Sequence, residues 1–173
     1  MVLVDGDLAG WSIAGRGAEK LADQLVPPTT AGADVTNSLV RKHWKASYHT
    51  ILRHGTGVVY SDANVFDSAA GANRIWSIER TAVIPGQRSS HLPVPPGAPP
   101  RTVANFVDTG KLGAYELGWS QGPVIGLVIV YVHNRLAADR EKDTLALMAQ
   151  AAAKQSSRIS GVLDDHAAAL AAR

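Results

Sequence analysis

An α+β chain, with an antiparallel β-sheet packed against a long C-terminal helix and a central helix, is predicted by two features of these 173 residues. The apolar run 123–132 is rich in Val, Ile and Tyr and breaks off at His133 and Asn134, after which apolar residues recur at helical spacing. Just ahead of it, "LGAYELGWS" alternates so that Tyr115, Leu117 and Trp119 share one face. A period of two that gives way to a period of 3.6 marks strands that deliver a helix onto their own sheet.

Taken in order, Ala18, Leu21, Ala22 and Leu25 predict a short helix that Pro27 and Pro28 stop. "SLVRKHWKASYHTIL" predicts one long, half-exposed strand, with Val40, Trp44, Ala46, Tyr48, Thr50 and Leu52 on one side and Arg41, His43, Lys45, Ser47 and His49 on the other. "HGTGVVYSDANVF" follows as a glycine turn and a second strand. Asp67 is placed to cap a helix over "SAAGANRIWSIER", in which Ala69, Ala72, Ile75 and Trp76 form an apolar stripe. Residues 85–100, "PGQRSSHLPVPPGAPP", hold too much Pro and Gly for regular structure and predict a Pro-rich loop of polyproline character, which also offers a PxxP-type ligand to a scaffold partner. "RTVANFVDTG" supplies a short strand, and Gln121-Gly122 turns the alternating segment into 123–132 as a hairpin. In the final helix Leu145, Met148, Ala152, Ile159 and Leu163 make the apolar stripe, while Glu141, Lys142, Lys154, Gln155 and Arg158 fall largely elsewhere. Asp139, Glu141 and Asp143 set negative charge in its first turns, where the helix dipole favours it, and Gly161 is the place for a kink or an end. The whole, residues 1–173, is expected to be a single domain.

Composition excludes several classes. Seventeen basic residues against fifteen acidic leave a net charge of only +2, so no dedicated polyanion-binding face and no nucleic-acid partner are expected. The absence of cysteine rules out disulfides, thiolate metal sites and thiol catalysis. The run 123–132 is about half the ~20 residues a spanning helix needs, so no transmembrane segment is expected. "MVLVDGDLAGW" lacks the basic and apolar regions of a signal peptide. The expectation is a cytoplasmic chain, or an extracellular or cell-envelope one numbered after its signal segment.

"DGDLAGW", "VFDSAAGANRIW" and "YELGWSQGPVIGLVIVY" followed by an Ala/Gln-rich helix together resemble the exported sensor-type domains and lipoproteins of actinobacteria. Among these is the extracellular domain of certain mycobacterial Ser/Thr kinases, a sandwich similar to the PsbP/Mog1 type. The resemblance implies export and ligand binding without a catalytic apparatus, and it transfers no catalytic residue.

The candidate ligand-binding residues are aromatic. Trp and Tyr carry polar edges that suit amphipathic pockets, and a pocket is expected between the strand bearing Trp44 and Tyr48, the helix bearing Trp76 and the hairpin bearing Tyr115 and Trp119. Its ligand would be a small apolar or aromatic molecule. Arg41, His43, Lys45 and His49, at a spacing of two, would grip an anion or work as acid and base, but a wet sheet face is the ordinary use of such a row. His43 and His49 lie roughly 20 Å apart along a strand, too far to share a metal. With no HExxH, no Gly-x-Ser-x-Gly and only short "GRG" and "GTG" turns, no catalytic residue, metal or cofactor is assigned. The predicted function is a noncatalytic small-molecule binding or sensing module. The alternative is a small cofactor-independent cyclase or isomerase that shapes an apolar substrate and uses Tyr48, His49 or Glu116 as its polar groups.

Overall fold

The computed structural model describes residues 1–30, 32–79, 87–108 and 110–171. Among them are strands β1 (Ser12–Ala18), β2 (Trp44–His54), β3 (Gly57–Phe66), β4 (Arg88–Leu92), β5 (Val103–Asp108), β6 (Gly113–Gln121) and β7 (Val124–Val132), with helices α1 (Ala33–His43), α2 (Ala69–Glu79) and α3 (Ala138–Ala171). The strands form one antiparallel sheet in the order β1-β2-β3-β7-β6-β5-β4. Two meanders, β1 to β3 and β4 to β7, therefore meet at the central β3–β7 pair. Helix α3 crosses the inner face against β6 and β7, while α1 and α2 pack together over one end of the outer face.

Two glycines let this sheet carry an indole on each side. Trp119 stands opposite Gly126 in the β6–β7 register, and a Cβ on Gly126 would fall inside the Trp119 ring. One residue along β6, pointing the other way, Gly118 lies under Trp76 of α2, and a Cβ there would strike that ring. Trp119 joins the inner core with Met148, Ala152 and Ile159, and Trp76 joins a smaller outer cluster with Phe66, Ile75 and Ile125. The two indoles are separated by the thickness of the sheet.

Polar contacts fix α3 on its bed of Val and Leu. Gln155, fully buried, donates from Nε2 to the Asp62 carbonyl and accepts at Oε1 from Ser61 Oγ at 2.9 Å. Ser61 Oγ in turn accepts from the Leu3 amide at 3.3 Å, tying the N-terminal segment into the same point. Arg158 forms a two-pronged pair with Asp7 at 3.0 and 2.7 Å, and Gln121 bonds Ser156 and Ser160.

Several local expectations change. The long strand expected from Ser38 to Leu52 is a helix as far as His43 and a strand only from Trp44. Ala33, Thr36 and Val40 bury one helical face, Asp34 sits in the first turn and Arg41, Lys42 and His43 in the last, a charge order that suits a helix dipole. "GRG" is part of β1 and not a turn; Gly17 is there because His49 of β2 lies where its Cβ would be. The helix expected over residues 18–25 shrinks to one 3₁₀ turn, Leu21–Gln24. Ser68 and not Asp67 caps α2, its Oγ accepting from the Gly71 amide at 3.1 Å, while Asp67 turns back to the His43 ring. Within the Pro-rich stretch, Arg88–Leu92 pairs with β5 as an edge strand; residues 93–100 hold no regular element, and 85 and 86 fall outside the described residues. Helix α3 does not end at Gly161 but continues to Ala171.

Glycine substitutions should therefore have opposite signs. Gly126→Ala drives a methyl into Trp119 and is expected to lower the stability measured by urea denaturation by about 1–3 kcal/mol. Gly161→Ala meets nothing within 4 Å and should raise it by about 0.5–1 kcal/mol. Equal effects from the two would show that Trp119 is not seated on Gly126.

Candidate functional site

The five aromatic residues expected to line one pocket are divided by the sheet. Tyr115 and Trp119 are fully buried beneath α3, whereas Trp44 and Trp76 lie with the outer cluster. Tyr48 stands 44% exposed on β2, a register position that puts it on the inner side. The polar trio Tyr48, His49 and Glu116 is divided in the same way, since His49 and Glu116 face outward. Among the described residues no group of three or more His, Asp or Glu side chains is placed to hold a metal.

An open space lies instead at the rim of the inner layer. A groove of about 730 Å³ runs between residues 93–97 and one flank of α3. On the helix side its apolar surface comes from Ala138, Leu145, Ala146, Ala149 and Ala153, which lie along one flank of the helix, and the four small alanine side chains keep it open. The opposite wall begins where Pro93 ends β4. Pro93, Pro95 and Pro96 have no N–H and fixed φ, and Gly97, at φ +84°, turns the chain back, with Ala98 N–H bonded to the Pro95 carbonyl. The result is a stiff apolar wall with few donors. Only Glu141, Lys142 and Gln150 bring polar side chains to the lining.

One of the predicted aromatics reaches this groove, through a clasp at its end. Tyr115 O–H donates to Glu141 Oε2 and accepts from the Leu136 amide, both at 2.9 Å. Arg135 donates to both oxygens of Glu141 at 2.9 and 3.2 Å and lies over the Phe106 ring, 5.4 Å from its centroid. Phe106 packs on Tyr115 with ring centroids 4.9 Å apart. The Arg135 guanidinium holds the Glu141 carboxyl below the usual carboxylate range, so Glu141 enters the lining as a carboxylate already paired with a cation. Burial pushes the Tyr115 phenol upward and keeps it a hydrogen-bond donor.

The outer face carries a second polar group of residues that sequence reasoning did not assemble. Ser47 and Asn64 donate to the two oxygens of Asp62 at 2.8 and 2.6 Å, and Trp44 Nε1 donates to Asn64 at 3.3 Å. Tyr60 O–H donates to Glu19, and His49 stacks on Tyr60 with its Nδ1 3.5 Å from the same carboxylate. Burial pushes Asp62 up to about 6, and burial alone pushes Glu116 up to about 6. The signal for this set was present as Ser47, His49, Tyr60, Asp62 and Asn64 on alternate positions of paired strands, but it needs the β2–β3 register to become legible.

The extracellular domain of PknH from Mycobacterium tuberculosis superposes with a TM-score of 0.51 at 10% sequence identity, over 88% of this chain and 86% of that one. The two share a fold. An uncharacterised Mycobacterium smegmatis protein, the Rv0999 ortholog, is similar at a TM-score of 0.41 and 12% identity, over 84% of this chain and 90% of that one. No protein-family model and no curated protein sequence matches. No helix among the described residues is long and apolar enough to cross a membrane.

Asp62 and Glu116 set the direction of the pH response. Both folded values lie above the unfolded ones, so the folded form binds more protons between about pH 4 and 6, and stability is lost as pH rises through 6. Moving from pH 7 to pH 5 should raise the unfolding free energy by roughly 2 kcal/mol for the pair. Urea midpoints across this range check it, and Asp62→Asn combined with Glu116→Gln should flatten the profile.

Proposed function

We propose that this domain is a noncatalytic sensing module, exported or membrane-anchored in its natural context, that takes a small apolar molecule in the groove between residues 93–97 and α3. The observation that carries the reading is the groove itself. Its volume of about 730 Å³ is that of a small-molecule site, and an apolar lining with a few polar groups is what such sites use. Two rigid elements form it, one held by prolines and the other by the Gln155, Arg158 and Tyr115 contacts, so little ordering entropy is lost on binding. The fold shared with an extracellular kinase domain supports export and a sensing role. Trp44, Tyr48, Trp76 and Trp119 then serve packing or surface roles, and Tyr115 serves the site through Glu141.

Binding can be followed with N-phenyl-1-naphthylamine, an uncharged dye that brightens in apolar surroundings. The wild-type chain should give a saturable rise in its emission. Ala146→Trp, on the exposed lip of the groove and outside the core, should abolish that rise with an unchanged urea midpoint. Dye binding that survives the indole would place any ligand elsewhere.

A further inference from the structure

We infer that the natural occupant of the groove is a single-chain anionic amphiphile, its hydrocarbon laid along α3 and its anionic head held at Lys142. The inference rests on the groove being the binding site, and it goes further by naming the ligand's shape and charge.

Shape comes first. The helical lining runs from Ala138 to Ala153, fifteen steps and therefore about 22 Å at 1.5 Å per residue, and it is one helix flank wide. A long, narrow trough takes an extended chain better than a compact ring system. Its proline wall cannot donate hydrogen bonds from three of its five residues, so most of the occupant's length meets no polar partner.

Charge follows from a census of the polar lining. Glu141 is committed to Arg135 and Tyr115. Gln150 makes no side-chain hydrogen bond among the described residues and is uncharged. Lys142 forms no ion pair among the described residues and is the one lining cation, on the exposed lip one turn inside α3. The Glu141 amide is taken by the Ala137 carbonyl at 2.8 Å, while those of Ala138, Asp139 and Arg140 precede any intrahelical acceptor and lie at the same end. Asp139 and Asp143 share this turn of the helix but are not part of the lining. The lining thus carries one cation without an ion pair among the described residues, Lys142, near one end, and its one carboxylate, Glu141, is already paired with Arg135, which suits a carboxylate or similar head on a hydrocarbon tail.

The test is displacement of N-phenyl-1-naphthylamine from the wild-type chain by dodecanoate, dodecanol and dodecylammonium, each below its micelle or solubility limit. Dodecanoate should displace the dye at about a tenfold lower concentration than dodecanol, a difference of about 1.4 kcal/mol and the size of one partly exposed charge-assisted contact. Dodecylammonium should be the weakest. Lys142→Glu should remove the preference for dodecanoate over dodecanol. Equal displacement by all three heads, or a dodecanoate preference that survives Lys142→Glu, overturns this inference while leaving the groove as the site. Displacement that is the same in Ala146→Trp overturns the groove reading itself.

Discussion

The buried amide of Gln155 is the constraint from which the rest of the inner layer follows. A helix lying on Val, Leu and Ala can slide or roll at little cost, because dispersion and burial are non-directional. An amide with no exposed surface cannot, since leaving its donor or acceptor unpaired costs roughly 1–3 kcal/mol. Its partners are the Asp62 carbonyl and the Ser61 hydroxyl on the central strand, and only one azimuth of α3 reaches both. With that azimuth set, Arg158 meets Asp7, Glu141 meets Tyr115, and the alanine flank faces the prolines. The groove is thus a consequence of a hydrogen bond made elsewhere on the helix.

The same packing explains why the space is at the rim and not among the aromatic rings. Trp119 on Gly126 and Trp76 on Gly118 fill both faces of β6 and β7 at one level of the sheet, and Phe106 occupies the volume a Cβ on Gly113 would take. Large rings seated on absent side chains leave solid layers. An interior of that density admits a ligand only where two elements fail to close, and small residues facing a stiff irregular segment provide that condition. The groove between residues 93–97 and α3 meets that condition, with four alanines on the helix facing three prolines.

What was legible in the sequence divides along these lines. The β6–β7 hairpin and the stripe of α3 were readable because one period held over a long run, and Gly126 inside an apolar strand was the visible half of the Trp119 seat. Helix α1 was hidden because Val40 and Trp44 fit both a strand and a helix spacing, while its deciding evidence was the order of charges from Asp34 to His43. Strand β1 was hidden because its glycines lie against β2 side chains, Gly17 at the His49 ring and Gly15 at Ile51, a reason visible only in register. Gln155, read as part of the polar face, is polar for the opposite reason: it is the deepest polar side chain of α3. The groove was out of reach because it lies between segments more than forty residues apart in the chain.

Asp62 is where the two layers meet. Its carbonyl oxygen receives Gln155 on the inner side, while its carboxylate, on the outer side, is held by Ser47 and Asn64 within reach of the Glu19 charge. The peptide plane that carries this carbonyl is bonded to the Cα that bears the carboxylate side chain, and both are hydrogen-bonded at once, so pulling on one strains the other. A shift of α3 along its bed must therefore disturb a buried carboxylate that is already costly to keep charged. This makes the helix position and the ionisation of the outer face two readings of one local geometry, and it gives the sheet a mechanical reason to place its least comfortable charge behind its most constrained helix.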